Sequence, residues 1–356
     1  MSFSYGENFR ITLFGQSHGA AVGVVIDGLP AGETIDMEEL QTFLSRRAPG
    51  GKYATQRKEA DVPEILSGLV DGRSCGAPIT AIFRNSDTHS SDYAAFCETP
   101  RPSHADYPAL VKYGDAHDIR GGGYFSARLT AALCFAGGVA LQSLQRRGIT
   151  VGAHLLSVGD AEDTPFDPVL VDCDTLLSAG KKAFPALSDE AAKKMQQEIE
   201  KARMDCDSIG GVVECGAVGL PTGIGDPVFG GVENRICQVL FAVPAVRGVE
   251  FGAGFAAAKM RGSAHNDVYQ MQNGSVKTAT NRHGGVLGGL TSGMPLVFLA
   301  ALKPTPSIGK AQTTLSLATG EQTTLTIKGR HDPCVALRAV PCVEAAAAIA
   351  ILDMIL

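Results

Sequence analysis

Two stretches of this chain are apolar on nearly every side, and they decide what the rest must do. Ser126 to Arg147 reads as a long helix whose middle, Leu129 to Leu144, has almost no polar face. Such a helix has to be covered all round. Pro341 to Leu356 reads as a final apolar helix opened by a proline, a residue suited to a first helical turn. Its run from Val343 is too short to cross a bilayer, so it must be buried or packed against another subunit. The cover is supplied by Gly-rich strands. Arg10 to Asp27 reads as two strands around a Ser17-His18 turn, and Ile79 to Phe83 and Val212 to Val218 as further strands. Leu315 to Ile327 reads as a hairpin turning near Thr319-Gly320-Glu321.

Shorter helices complete the pattern. Asp36 to Arg47 places Leu40, Phe43 and Leu44 on one face, with Asp36 and Glu39 suited to its N-terminus and Pro49-Gly50-Gly51 ending it. Val232 to Ala242 is a second, and Ser188 to Met204 is amphipathic and belongs outside. Residues 85–120 read as loop, a length that is usually functional or disordered. The order is not a regular βαβ alternation, which argues for an α+β fold with helices enclosed by sheets rather than a doubly wound sheet. Gly23 to Gly32 is echoed by Gly211 to Gly223, each with a helix following. The echo favours one domain, residues 1–356, built as two similar halves; chance matching of Gly-rich strand-turn sequences is the alternative.

With 356 residues, 45% of them hydrophobic and 19% charged, the chain can bury a large core. Its 42 glycines exceed the ~7% of an average protein and favour tight turns and loops that wrap a ligand. The net charge of −6 favours neither nucleic acid nor an anionic membrane as partner. Locally, Arg46, Arg47, Lys52, Arg57 and Lys58 form a basic run. A solvated face explains most such runs; a cradle for a polyanionic small molecule is the sharper reading. Nine cysteines without a C-x-x-C pair, and an N-terminus without signal-peptide character, fit a reducing cytoplasm.

Four short segments join proton-moving or anion-gripping residues to a backbone that bends sharply. In Gly15-Gln16-Ser17-His18-Gly19 a serine stands beside a histidine between glycines. In Arg101-Pro102-Ser103-His104-Ala105-Asp106, Asp106 can orient the imidazole and raise its pKa, and Arg101 can hold an anion. Gly121-Gly122-Gly123 leads to Ser126-Ala127-Arg128 and a helix start, where free N–H groups bind phosphate. In Arg330-His331-Asp332-Pro333 a carboxylate lies beside cations. Each alone is also an ordinary polar turn. The histidines are dispersed without H-E-x-x-H, which argues against a catalytic metal, and no Walker, Rossmann or G-x-S-x-G motif is present. Gly284 to Gly289 and Lys303-Pro304-Thr305-Pro306-Ser307 can wall a flat cofactor or simply turn the chain.

Together, in this order, these segments resemble the chorismate synthase family. Gly15 to Pro30, Gly122 to Ala140 and Arg330 to Glu344 are similar to its signatures, and the resemblance covers nearly the whole chain. It implies a β-α-β sandwich, long helices between antiparallel sheets, assembled as a homotetramer. It implies conversion of 5-enolpyruvylshikimate 3-phosphate, a small anionic substrate, to chorismate and phosphate by a 1,4-trans elimination. It implies reduced FMN as cofactor, with NADPH as an indirect source of reductant and an external flavin reductase. By the same resemblance His18 is the acid that protonates the departing phosphate, and His104 lies beside flavin N1. Asp332 helps flavin N5 take the ring proton, and Ser17 and Ser126 relay or position. Tyr124, Phe125, Ser126, Pro244, Ala245, Gly288, Lys303, Pro304, Thr305, Pro306, Ser307 and Arg330 correspond to flavin-contacting positions, and Arg47 and Lys52 to basic positions at the mouth. Arg47, Arg101, Arg128 and Arg330 suit a substrate carrying one phosphate and two carboxylates.

The chain departs from the family pattern at Gln16, where an acid is usual, at Ser103, where glycine is usual, and at Pro244, where asparagine is common. Two other function classes compete: a flavin-dependent NADPH oxidoreductase and a non-catalytic flavin- or anion-binding protein.

Overall fold

The computed structural model describes residues 3–49, 61–85, 96–327 and 332–356. Gly50, Gly51, Lys52, Arg57, Lys58, Arg330 and His331 lie outside the described residues. Two five-stranded sheets, antiparallel throughout, form the outer layers. The first runs Ser4–Tyr5, Arg10–Gly15, Ala21–Asp27, Ile79–Arg84, Glu64–Ser67 in spatial order. The second runs Val246–Phe251, Leu296–Leu302, Gly211–Val218, Thr150–Val158, Ala161–Glu162. Between them lie the helices Thr130–Arg146 and Ala336–Ile355, the first packed on the first sheet and the second on the second. The expected enclosure of helices by antiparallel sheets is what the chain adopts. Ala127–Arg146 is long and apolar enough to cross a membrane, but here it is the covered core of a sandwich.

The two buried helices touch where side chains are smallest. A methyl group built on Gly137 would lie 2.2 Å from Ala345 Cβ, and one on Gly138 would lie 2.2 Å from Leu40 Cδ1 of the helix Met37–Arg47. A glycine costs a helix ~1 kcal/mol relative to alanine; here two of them admit a neighbour on each side. Cys134 Sγ sits 3.7 Å from Cys342 Sγ. Residue 134 therefore meets 342 and residue 137 meets 345, so contacts advance in the same direction along both helices. The helices run parallel, with both N-termini at one end of the sandwich.

Several local expectations need correction. The C-terminal helix starts at Ala336, one and a half turns before Pro341, which lies inside it. Ala336 to Ala339 are good helix formers, and the proline gives up the hydrogen bond to the Leu337 carbonyl and crowds that carbonyl near the helix start. The central helix opens as a 3₁₀ turn, Ala127–Leu129, capped by Ser126, before the α-helix begins at Thr130. Within residues 85–120, Asp106–Tyr113 is a helix, with Asp106 in its first turn. The amphipathic helix Asp189–Met204, capped by Ser188, shows the charged outer face expected of it.

The internal echo has a topological counterpart. Ala21–Asp27 and Gly211–Val218 are the middle strands of their sheets. Each pairs with a longer strand that precedes it, Arg10–Gly15 or Thr150–Val158, the latter with the two-residue edge strand Ala161–Glu162 in between, and each is followed by a flanking helix, Met37–Arg47 or Val232–Leu240. An edge strand comes next, then the strand beside the middle one, then a buried helix. The same order thus occurs once in residues 10–146 and again in residues 150–355.

Candidate active site at the N-terminal ends of the buried helices

The hairpin joining Arg10–Gly15 to Ala21–Asp27 carries Ser17 and His18 at its tip. It is tied to the Gly-rich turn: Ser17 N donates to the Gly123 carbonyl at 3.1 Å. Gly121, Gly122 and Gly123 have φ of 60°, 82° and 55°, a run that side-chain-bearing residues adopt only with strain. A methyl group on Gly121 would come 2.0 Å from His18 Nδ1 and 2.7 Å from Ser17 Oγ. One on Gly122 would come 3.5 Å from His104 Nε2 and 3.9 Å from Ser126 Cβ. The turn is therefore a saddle between two imidazoles. This corrects the reading of the glycines as a phosphate cradle at the helix start. The space they leave is filled by His18 and His104, and the helix start is capped separately by the Ser126 hydroxyl, which accepts from Arg128 N.

His104 is held from behind. Its Nδ1 lies 2.6 Å from Asp106 Oδ1, which fixes that nitrogen as the donor and turns Nε2 toward the glycine saddle. Arg101 grips the same carboxylate with Nε and Nη2, both at 2.7 Å, and stacks 4.6 Å above the Phe96 ring. Burial alone would raise the Asp106 carboxyl, but hydrogen bonds from Arg101 and His104 outweigh it and hold the group well below the ordinary carboxylate range. The anion that Arg101 holds in this structure is Asp106. Its Nη1 also reaches Ser307 Oγ at 3.3 Å.

A second cluster adjoins the first. Arg47 and Arg128, both expected at the substrate, are buried, and their guanidiniums converge on the two oxygens of one carboxylate, Asp61. Arg47 Nε also donates to Thr130 Oγ1 at 2.9 Å. Burial alone would lower the Arg47 pKa; Asp61 more than offsets this and leaves it raised. Arg128 Nε donates to Asn85 Oδ1 at 3.0 Å, and Asn85 Nδ2 donates to Gln16 O and Gly19 O at 3.0 and 2.8 Å, spanning the His18 turn. On the other side Arg338 Nε donates to the Arg47 carbonyl at 2.9 Å, and its Nη1 pairs with Asp332 at 2.7 Å. Burial lowers the Arg338 guanidinium, and Asp332 only partly offsets it. These cations sit at the N-terminal ends of two parallel helices, whose dipoles add to a positive potential. Asp61, Asn85 and Arg338 were not singled out from the sequence. The available signal was Arg338, a cation in an otherwise apolar helical run.

The expected cofactor wall is gathered in part. Tyr124 packs edge-on against Tyr113 and His117 and leans on Phe125 at 4.8 Å between ring centres. Tyr124, Ser126 and Pro244 line a cavity of about 350 Å³ with Phe3, Leu129 and Val239. Ala245, with φ of 75°, accepts from Lys303 N at 2.9 Å, and Lys303 Nζ donates to Ser103 O at 2.6 Å, which lays the Lys303–Ser307 segment against the His104 loop. Among the described residues, Ser17 Oγ and Thr305 Oγ1 are buried without a hydrogen-bond partner. Gly288 is at a separate hairpin tip between Val286–Leu287 and Leu290–Thr291, where its neighbour Gly289 packs on Asp226 and Gly231.

Residues 9–356 match the family model for chorismate synthase. A chorismate synthase of Thermococcus kodakarensis is 47% identical over 352 residues, covering 99% of this chain and 97% of that protein. One of Lancefieldella parvula is 43% identical over 364 residues, covering 99% and 96%. A crystal structure of a chorismate synthase superposes with a TM-score of 0.75 at 27% identity, covering 98% of this chain and 92% of that one. The chain belongs to the chorismate synthase family, the lyases that convert 5-enolpyruvylshikimate 3-phosphate to chorismate and phosphate in the shikimate pathway.

Proposed function

We propose that the 1,4-trans elimination takes place at the glycine saddle, with reduced FMN as cofactor and the whole of residues 1–356 as one catalytic domain. The observation that carries this reading is the pair of imidazoles, His18 and His104, meeting two adjacent glycines of one turn. The cofactor fits the residues present. Tyr124 and Phe125 offer flat apolar surface, a cavity adjoins Ser126 and Pro244, and the buried hydroxyls of Ser17 and Thr305 lack partners among the described residues. Tyr124, Phe125, Ser126, Pro244, Ala245 and Lys303 to Ser307 would hold it, with His104 at its edge. Bound reduced FMN supplies electron density to a ring that is losing phosphate. His18 delivers a proton to the departing phosphate oxygen, and Asp332 is the carboxylate available to the ring proton. Ser17 and Ser126 position these groups. The positive helix ends and the arginine cluster attract the anionic substrate.

The wider reading has NADPH as an indirect source of reductant through an external flavin reductase, a homotetramer, and a cytoplasmic location. Large apolar side chains exposed on residues 228–276, among them Phe229, Phe255, Tyr269 and Met271, support assembly. The deciding experiment is an anaerobic assay of phosphate release with dithionite-reduced FMN. Release that depends on reduced flavin supports the elimination. Steady NADPH oxidation without substrate would point to an oxidoreductase instead, and tight FMN binding with no phosphate release to a binding protein.

A further inference from the structure

Asp61 is a fully enclosed carboxylate near the site that two arginines share. Its side chain is 0% exposed, and its two oxygens serve two different guanidiniums, those of Arg47 and Arg128. A shared carboxylate fixes both the separation and the tilt of the two planar forks. It also keeps two like charges together at a place where two helix N-termini already contribute positive potential. From each arginine the connection goes on. Arg128 reaches Asn85, whose amide spans Gln16 and Gly19 on either side of Ser17-His18. Arg47 offers its carbonyl to Arg338, which holds Asp332.

We propose that Asp61 is a positioning residue for the elimination: through Arg128 and Asn85 it sets the turn that presents His18, and through Arg47 and Arg338 it sets Asp332. This rests on the assignment of His18 and Asp332 given above. Asp61 itself touches no reacting atom, since it is enclosed by the two arginines. Its role is to hold the two proton-moving arms in register from a common anchor. A shift of about 1 Å in such a group can cost ~10²-fold in rate.

The backbone at Asp61 gives a direct test. Its φ of 46° lies in the left-handed region, so glycine fits there without strain. Asp61→Gly removes the carboxylate and leaves a cavity between the two arginines. Chorismate formation with anaerobically reduced FMN would be measured beside the wild-type enzyme, which tests the assigned reaction independently. We expect kcat per flavin-binding site to fall ~10²-fold and to recover with added formate in a saturable way. Formamide, of the same shape but uncharged, should not restore it. Wild-type kcat in Asp61→Gly, or equal recovery with formamide, would overturn the proposal. Should Asp61→Gly fail to fold, Asn85→Ala leaves the carboxylate–arginine cluster in place and cuts only the link to the His18 turn. There kcat should drop at least tenfold with KM within about twofold, and an unchanged kcat would overturn the link.

Discussion

Asp106 shows how much one residue here depends on its partners. Its carboxyl is held below the ordinary range, so the ion pair with Arg101 and the hydrogen bond from His104 contribute stability that is fully present above the unfolded-state pKa of ~3.9. That contribution is lost as pH falls through the lower folded-state value. Asp106→Asn should therefore cost ~3 kcal/mol at pH 7, because it leaves Arg101 buried and unpaired. The deficit should narrow by ~1.4 kcal/mol per unit below about pH 4. Urea titrations at pH 7 and pH 3 measure both, and a deficit equal at the two pH values would count against the ion pair. Ser103 has φ of 57°, which gives a physical reason for glycine at that position. Ser103→Gly should raise stability by up to ~1 kcal/mol and leave the Lys303 contact to its carbonyl intact. For the reacting groups, His18→Ala and Asp332→Ala should retain flavin binding and lose ~10²–10⁴-fold in turnover. Near-wild-type rates in either would remove it from the mechanism. The residues visible in the sequence were those whose neighbours in the chain mark them: a Ser-His between glycines, a His two places before an Asp. Asp61 and Asn85 were hidden because their partner Arg128 lies 67 and 43 positions away, and no local pattern marks such a meeting.

At the scale of elements, the crossing of the two buried helices carries the most exacting constraint. Alanine normally stabilises a helix over glycine by ~1 kcal/mol. At Gly137 the sign should reverse, since the added methyl meets Ala345 Cβ and, at 2.4 Å, its Cα. We expect Gly137→Ala to lose ~2–3 kcal/mol. Gly138→Ala should lose less, because it meets the movable end of Leu40. Thermal melts of the two variants give the comparison, and equal losses would mean that the helix contact is not rigid. Apolar periodicity disclosed both helices and their burial, but it does not carry direction. That they run parallel, and so bring two N-termini to one end, follows only from which residues meet. Pro341 misled for a related reason: a proline signals a first turn only when nothing before it can form one, and Ala336 to Val340 can.

For the whole molecule, the proposed homotetramer predicts a light-scattering mass near four times 37.1 kDa, and a monodisperse monomer would contradict it. The proposed need for an external flavin reductase predicts no turnover in air with NADPH and FMN alone. Enclosure of helices by sheets could be read from composition and pattern, and the echo of Gly23 to Gly32 in Gly211 to Gly223 pointed to halves that share an element order. An operation that exchanges two parallel helices, each backed by its own sheet, is a half-turn about an axis running along them. That axis leaves the protein where the helices begin. The loop entering one helix carries the glycine saddle, and the residues entering the other carry Asp332. A ligand seated on such an axis is approached from its two opposite sides by segments that hold matching places in the two halves but carry unlike chemistry. Departure of phosphate from one face of a ring and of a proton from the other is a demand that broken twofold symmetry is built to meet.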